Sequence, residues 1–177
     1  MSAQIPPRTG QRIQAISVEE ALAMVLAMIQ PMPVIECPIE FAHGLILAED
    51  VRSSIALPAF RNSAMDGFAL RASDSVGASQ AQAKSFTIVG STAAGDSAWS
   101  APLEPGTAVR VMTGAALPEQ ADAVVRLEDV EELGDRIAIS AEIAVGANAR
   151  TVGSDLQRDA VAVAAGSLIS WASSALM

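Results

Sequence analysis

The chain has 177 residues, of which 20 are acidic and 11 are Lys or Arg, so its formal net charge is −9 at pH 7. Hydrophobic residues make up 51% of the chain and charged residues 18%, a balance that supports a folded core and excludes a disordered chain. Nucleic-acid binding is disfavoured, because it needs basic residues against phosphates and aromatic platforms for bases, and only 3% of this acidic chain is aromatic.

The apolar segments are too short to cross a membrane, since the longest uninterrupted run, residues 21–29, is less than half the length that a bilayer requires. Residues 1–12 lack the charged start and apolar stretch of a secretory signal. A single cysteine, Cys37, excludes an internal disulfide, and with one histidine it cannot build a structural zinc site. We therefore expect a cytoplasmic protein with no membrane partner.

The first predicted element is a helix that begins after Ser17. Residues 17–20 are typical of a capping box, in which the Ser17 hydroxyl accepts from a first-turn amide and Glu20 reaches back to the amide of Ser17. Apolar residues recur at helical spacing as far as Ile29, which predicts a face packed in a core. Because Pro31 disfavours helical backbone at the residue before it, the helix is expected to end at Gln30.

From residue 34 onward the pattern changes to short apolar stretches separated by Pro, Gly and Asp, which predicts strands. In the middle of the chain the strands are predicted at 86–89, 106–112, 122–127 and 134–139. Gly134 and Asp135 tolerate the positive φ of a tight hairpin turn. The spacing favours an all-β unit, either a sandwich or a barrel.

The two ends of the chain share a mixed character, whereas the middle is rich in β signals. We therefore predict a mixed, mainly β fold in which a β domain, residues 51–142, is inserted into an α+β domain built from residues 1–50 and 143–177.

The densest polar cluster lies between residues 57 and 69, where Asn62, Ser63 and Asp66 are close neighbours. Short polar side chains can turn the backbone or point at a ligand, and the glycine after Asp66 allows another group to come close. Both roles stay open, because Asn-Ser and Asp-Gly are also common turn sequences. An anionic substrate could approach Asp66 only through a metal, because a carboxylate repels phosphate and oxyanions, and Mg²⁺ with oxygen ligands is the natural bridge.

The second cluster, residues 110–118, is a predicted strand that runs into a Thr113-Gly114 turn. Small residues expose the backbone amides and the Thr113 hydroxyl, which can form an anion-binding concavity; an ordinary strand end is the alternative. Residues 122–129 follow as a buried strand closed by acids. Glu128 is there either a ligand or part of a solvated strand end.

The third cluster, residues 148–155, places Asn, Arg and Asp in one loop-rich segment. Arg150 can hold an anion bidentately, and Asp155 can take a metal or orient Arg150. A surface ion pair without a function is the alternative. The sequence contains no phosphate loop followed by Lys, no dinucleotide fingerprint and no array of cysteines and histidines.

Together the three clusters resemble the molybdopterin molybdenumtransferase family, which includes MoeA and the E domain of gephyrin. The motifs are Pro-Ala-Phe-Arg-Asn-Ser-Ala-Met-Asp-Gly-Phe-Ala at 58–69, Val-Met-Thr-Gly-Ala-Ala-Leu-Pro at 111–118 followed by Ala-Asp-Ala-Val-Val at 121–125, and Asn-Ala-Arg-Thr-Val-Gly-Ser-Asp at 148–155. The resemblance runs from about residue 17 to residue 169. It covers only the N-terminal half of the family's usual protein.

The resemblance implies that the α+β domain is elongated and carries a barrel-like β insertion. It also implies an enzyme that inserts molybdate into adenylylated molybdopterin and releases AMP with a divalent metal, here Mg²⁺. The expected partners are adenylylated molybdopterin, molybdate and a second copy of the chain. In the family, each active-site cleft lies between the β domain of one subunit and a following α/β domain of the other.

The resemblance also implies roles for individual residues. The implied catalytic residues are Asp66, Thr113 and Asp155; the implied substrate contacts are Asn62, Ser63, Gly114 and Arg150; and the implied metal ligands are Asp66, Asp155 and Glu128.

Two departures from the family pattern bear on these expectations. Ser154 stands where the family usually has Glu, which reduces the negative charge of that loop. The sequence ends before the family's later Thr-Gly-Asp, Ser-Gly-Gly and Pro-Gly segments, so we expect this chain alone to be inactive. The alternative interpretation is a non-catalytic module that dimerises or binds a partner.

Overall fold

The computed structural model describes residues 16–177, which fall into two compact units divided after Pro38. The described part of the first unit contains the helix α1 (Val18–Met28). Its predicted capping box is confirmed, because the amide of Glu20 donates to Ser17 Oγ at 3.1 Å and the amide of Ser17 donates to Glu20 Oε2 at 2.9 Å.

Helix α1 differs from the prediction in its end and in its packing. It ends at Met28, because Ile29 already has extended backbone (φ −85°, ψ 128°) ahead of Pro31. The predicted burial of its apolar face is wrong: no residue of α1 is buried, and Leu22 is 56% exposed. Helical spacing of apolar residues defines a face, but burial also needs a second surface to cover it.

The second unit is mainly β, as predicted. Within residues 39–177 the strands and the further helix are β1 (Val51–Arg52), β2 (Asn62–Ser63), β3 (Gly67–Leu70), β4 (Lys84–Thr92), β5 (Thr107–Val111), β6 (Ala123–Arg126), β7 (Val130–Leu133), β8 (Arg136–Ile139), β9 (Ala149–Arg150), β10 (Val161–Val163) and α2 (Trp171–Ser174). Strands β4, β5, β6 and β8 confirm the four strands predicted in the middle of the chain. Between residues 34 and 50 the predicted strands are wrong, since that segment forms a 3-10 turn at Ile39–Phe41 and a single bridge at Ile46.

Six strands form the main sheet, in the order β6-β3-β5-β4-β8-β7. All neighbours are antiparallel except β4 and β5, which run parallel and are connected by residues 93–106. The sheet curls into a half-barrel, so the mainly β, barrel-like prediction is confirmed. The predicted hairpin is also confirmed: β7 and β8 join through Gly134, whose φ of 73° suits the tight turn.

The main sheet is buried on both faces around β3. Alternate residues of a strand point to opposite faces, and each face of this sheet has its own apolar cluster. One cluster contains Phe68, Leu70, Phe86, Ile137 and Ile139. The other contains Ala69, Val109, Val111, Leu117 and Val124. Strand β3 is therefore a rigid support for the residues that immediately precede it.

A second antiparallel ribbon pairs residues 44–57 with residues 156–169. Strand β1 pairs with β10, and the bridges Ile46 to Leu168 and Leu57 to Leu156 extend the ribbon on both sides. This ribbon therefore pairs two segments that are about a hundred residues apart in the sequence. The boundaries at residues 51 and 142 stay a prediction. Among residues 16–177, no helix has the length and apolar character needed to cross a bilayer.

Candidate functional site

The three motifs meet because residues 61–64 form the middle strand of a small three-stranded unit. On one side, β2 pairs with β9, with Asn62 opposite Arg150. On the other side, the Ser63 amide donates to the Ala115 carbonyl at 3.0 Å, and the Gly114 amide donates to the Ser63 carbonyl at 2.8 Å. The first motif therefore lies between the second and the third, although they are far apart in the sequence.

Asp66 and Thr113 meet at one end of the main sheet. Strands β3 and β5 are antiparallel with Gly67 opposite Val111, so the residues just before β3 face those just after β5. There the backbone N–H and the side-chain hydroxyl of Thr113 both donate to Asp66 Oδ1, each at 2.7 Å. Both Thr113 donors are thus used on the carboxylate, and Thr113 orients Asp66 rather than facing a ligand.

These two hydrogen bonds favour the ionised form of Asp66. The backbone bond from Thr113 lowers the pKa of Asp66 most, its side-chain bond lowers it further, and desolvation opposes both to a lesser extent. Asp66 is therefore ionised at neutral pH. Its second oxygen, Oδ2, accepts no hydrogen bond from residues 16–177, so it is available to a ligand.

Ser63 and Asn62 are buried in the middle of the three-stranded unit. Ser63 is 1% exposed, and its hydroxyl donates to the carbonyl of Met65 while accepting from the Met65 amide. Asn62 is 6% exposed, and its Oδ1 is buried without a hydrogen-bond partner among the described residues. In this structure Ser63 therefore fixes the turn that leads to Asp66, whereas the Asn62 carbonyl has unused hydrogen-bonding capacity.

Gly114 provides the sharp turn after Thr113. Its φ of +83° lies in the left-handed region that a residue with a Cβ adopts only at a cost, which explains why glycine follows Thr113. Its amide is already used on the Ser63 carbonyl. Gly114 therefore shapes the turn and leaves no free amide for an anion.

Arg150 and Asp155 form an ion pair at the edge of the same unit, through Arg150 Nη2 and Asp155 Oδ2. The bond from Arg150 lowers the pKa of Asp155 most, desolvation opposes it, and the positive charge of Arg150 and a bond from Ser154 add smaller lowering effects. The Asp155 amide donates to the carbonyl of Leu57 at 2.9 Å, which ties this loop to the chain ahead of the first motif. Both side chains are about half exposed and can be reached by a ligand.

Glu128 lies in the 3-10 turn that follows β6, and its side chain is exposed. The neighbouring Leu127 amide donates to the backbone carbonyl of Asp66 at 3.1 Å, which links this turn to the site. The structure does not gather the three predicted metal ligands, Asp66, Asp155 and Glu128, into one centre: among residues 16–177 no three acidic, histidine or cysteine side chains are placed to hold a metal ion together.

Asn148 and Arg61, which belong to the quoted motifs but have no role assigned to them above, also shape this site. Asn148 has a φ of 51°, and its side-chain amide donates to the Val124 carbonyl at 2.9 Å while its own carbonyl accepts from Ala64. Asn tolerates left-handed backbone better than most residues, so an Asn in a Gly-rich turn was the available signal. Arg61 donates to backbone carbonyls of the second motif, and no local pattern predicts such a contact.

The three sequence motifs thus meet beside one half-barrel sheet, where Thr113 bonds the Asp66 carboxylate and Arg150 pairs with Asp155. Residues 16–177 match the family model described as the MoeA N-terminal region (domain I and II), so the chain belongs to this family.

Several relatives support the assignment. The chain is 37% identical over 140 residues to molybdopterin molybdenumtransferase 2 of Mycobacterium tuberculosis, covering 79% of this chain and 34% of that protein. It is 34% identical over 153 residues to the molybdopterin molybdenumtransferase of Synechococcus elongatus, covering 85% of this chain and 38% of that one. The chain thus spans little more than a third of these relatives.

Solved structures agree with this match. A crystal structure of the molybdopterin biosynthesis MoeA protein from Pyrococcus horikoshii superposes with a TM-score of 0.84 at 29% identity, covering 92% of this chain and 43% of that one. A second crystal structure of a MoeA protein from the same organism gives a TM-score of 0.72 at 34% identity, covering 92% and 41%.

Proposed function

We propose that this chain is the N-terminal portion of a molybdopterin molybdenumtransferase, which inserts molybdate into adenylylated molybdopterin and releases AMP during molybdenum cofactor biosynthesis. Family membership and the names of the relatives support the reaction class. The observation that carries the proposal is the Asp66 carboxylate, which Thr113 orients through one oxygen while leaving the other free of hydrogen bonds from residues 16–177.

A Mg²⁺ ion fits this donor set only with help from the substrate. Proteins often hold Mg²⁺ through one or two carboxylates, with phosphate oxygens and waters completing the octahedron. Asp66 Oδ2 supplies one such carboxylate oxygen, and Asp155 or Glu128 could supply a second if the loops approach on binding. When bound, the ion would neutralise charge on phosphate and molybdate oxygens.

Arg150 is the group in this unit suited to an oxyanion. A guanidinium has five N–H donors, and Arg150 bonds Asp155 through Nη2, so donors remain for a phosphate or molybdate oxygen. Asp155 then keeps Arg150 pointed at the site. In this proposal Asp66, oriented by Thr113, holds the Mg²⁺ that accompanies the substrate. Arg150, oriented by Asp155, binds a phosphate or molybdate oxygen.

The proposal includes a cytoplasmic homodimer and an activity that needs more than this chain. The exposed apolar side chains of α1, including Leu22, Val25 and Leu26, support an interface, because a contiguous apolar surface on a helix is normally covered by a partner. The same observation favours the second candidate function, a non-catalytic module that dimerises or binds a partner.

The test supplies the remainder of a relative as a separate polypeptide. The chain is mixed with the portion of the Mycobacterium tuberculosis protein that it does not match, together with adenylylated molybdopterin, molybdate and Mg²⁺. AMP release and molybdenum incorporation are measured. We expect activity from the mixture, none from the chain alone, and loss of activity on chelation of Mg²⁺.

Two variants assign the activity to the site. Asp66→Asn should lower AMP release by about a hundredfold, the usual scale for removing a charge-stabilising group. Asp135→Asn makes the same change in the exposed β7–β8 turn and should leave the rate unchanged. Unchanged activity in Asp66→Asn contradicts the role of Asp66. An inactive wild-type mixture, with a well-folded dimer by sedimentation, supports the non-catalytic module.

A further inference from the structure

Arg61 makes an unusual set of contacts at the start of the three-stranded unit. Its Nη1 donates to the carbonyl of Ala121 at 3.1 Å, and its Nη2 donates to the carbonyls of Pro118 and Glu119 at 3.1 and 2.9 Å. One partly buried guanidinium therefore bonds three carbonyls of a single turn. The guanidinium spreads these three bonds over two nitrogens, whereas a lysine ammonium would have to make all of them from a single nitrogen.

The partners of Arg61 distinguish it from other arginines of the chain. Five of the other described arginines, at positions 52, 71, 110, 126 and 150, each pair with a carboxylate, and Arg136 bonds the Ser85 hydroxyl. Arg61 forms no ion pair with residues 16–177, and its charge is solvated by backbone carbonyls instead. A half-buried cation without a counter-ion is costly unless its hydrogen bonds are well made. The three bonds to backbone carbonyls therefore stabilise the Arg61 charge in the place of a carboxylate.

The bonded turn continues directly into the site. The Leu117 amide donates to the Arg61 carbonyl at 3.1 Å, and the Gly114 amide donates to the Ser63 carbonyl. Between these bonds, Asn62 and Ala116 form an antiparallel β-bridge. The Arg61 side chain holds one end of this pairing. Thr113 lies at the other end, where its amide donates to Asp66. A shift of the turn along residues 61–63 would move Thr113 away from the carboxylate that it orients.

We propose that Arg61 is a positioning residue: by clamping the carbonyls of Pro118, Glu119 and Ala121, it sets the register of residues 114–117 against residues 61–63 and so holds Thr113 against Asp66. The effect on catalysis rests on the proposed function, whereas the effect on the position of Thr113 does not.

The first experiment therefore needs no activity. Amide hydrogen exchange of this chain is followed by NMR in Arg61→Lys, Arg61→Ala and the matched control Arg136→Ala, which loses a guanidinium bond to Ser85 on the distant strand β8. In Arg61→Ala we expect exchange of the Thr113, Gly114 and Leu117 amides to accelerate about tenfold or more, while the β5 core amide of Val109 keeps its rate. Arg61→Lys should give a partial effect, and Arg136→Ala none at these amides.

Two results would overturn the inference. One is unchanged exchange at Thr113 and Gly114 in both Arg61 variants. The other is uniform acceleration at Val109 as well, which would mean that Arg61 only adds global stability. If Arg61→Ala does not fold, the same comparison in Arg61→Lys decides.

The second experiment uses the reconstituted mixture. Arg61→Lys should lower kcat for AMP release several-fold with little change in KM, because a misplaced Thr113 affects the orientation of Asp66 more than substrate affinity. A change confined to KM contradicts the positioning role. The two proposals can fail separately. If the exchange results are as expected but the wild-type mixture is inactive, the proposed function is rejected and the positioning of Thr113 by Arg61 still holds.

Discussion

Gly67 lies against the backbone of Val125, so closely that a Cβ on residue 67 would overlap the Val125 carbonyl oxygen and come within 2.9 Å of its carbonyl carbon. This contact joins β3 to β6 at the residue that immediately follows Asp66. The position of the Asp66 carboxylate therefore depends on an approach of two strands that only glycine permits.

Gly67→Ala should lower the free energy of unfolding by about 3 kcal/mol, the upper end for overpacking, because the new Cβ meets backbone of β6 that cannot move without disturbing a buried sheet. Urea unfolding of the chain, followed by circular dichroism, measures the loss. The control is Gly95→Ala, where nothing lies within 4 Å of the new Cβ and only the positive φ of 92° is penalised, by about 1–2 kcal/mol. Equal losses in the two variants would show that the contact with Val125 is easily relieved.

Thr113→Val should raise the pKa of Asp66 toward its ordinary value without restoring it fully, because the hydroxyl bond is lost and the stronger backbone bond stays. An NMR titration of the Asp66 carboxyl carbon measures this. Thr113→Ser keeps the donor and should titrate like the wild type. Identical titrations of Thr113→Val and the wild type would contradict the assigned hydrogen bond.

The same pair gives a pH dependence of stability. The pKa of Asp66 is lower in the folded chain than in the unfolded chain, so its contribution to stability is complete above the ordinary carboxyl pKa. That contribution is lost as the pH falls through the lowered pKa. The unfolding free energy of Thr113→Val should therefore fall less than that of the wild type between neutral and strongly acidic pH. Parallel acid profiles would count against this linkage.

Arg150→Ala should leave the melting temperature nearly unchanged, because its ion pair with Asp155 is about half exposed and screened by water and salt. It should nevertheless raise the pKa of Asp155, since the bond from Arg150 is the main cause of the lowering. Arg71→Ala is the comparison. Its partner Asp74 is more buried and also accepts from the Gly106 amide, so this variant should lower the melting temperature more than Arg150→Ala does. A large destabilisation by Arg150→Ala would assign a structural role to the pair.

Ser17→Ala removes the N-cap of α1 and should weaken the helix by about 1 kcal/mol. Because no residue of α1 is buried, little packing compensates for the loss, and the helical ¹³Cα shifts of residues 18–28 should decrease markedly. Glu19→Gln changes the same turn outside the capping box and should have a smaller effect. Unchanged shifts in Ser17→Ala would mean that contacts other than the cap maintain α1.

The elements that could be predicted from the sequence are those with local signals. The capping box at Ser17 and Glu20 and the hairpin at Gly134 are each contained within a few residues, so side-chain chemistry and permitted φ determine them. The end of α1 was missed by two residues, because the effect of Pro31 on its predecessor does not specify where fraying starts. The exposure of α1 could not be predicted, since it depends on what covers the helix.

The sequence predicts which residues belong to the site, but it does not predict how they contact one another. The sequence motifs indicate Asp66 and Thr113 as site residues, yet their direct hydrogen bond follows from the antiparallel register of β3 and β5, which no local pattern contains. Ser63 was expected to touch substrate, and its burial beneath the Met65 turn depends on a strand pairing with residues near position 149. The Arg61 clamp was missed for the same reason, because its acceptors are backbone carbonyls that carry no sequence signature.

The middle position of residues 61–64 also bears on how the protein is made. Asn62 and Ser63 leave the ribosome early, whereas their partners Ala149 and Arg150 are translated only after every strand of the main sheet. A nascent chain halted before residue 149 would expose one edge of this strand and retain an incomplete site. Assembly of the site is thus a late event in biosynthesis, and a substitution that slows closure of the sheet would delay it even if the final fold were unchanged.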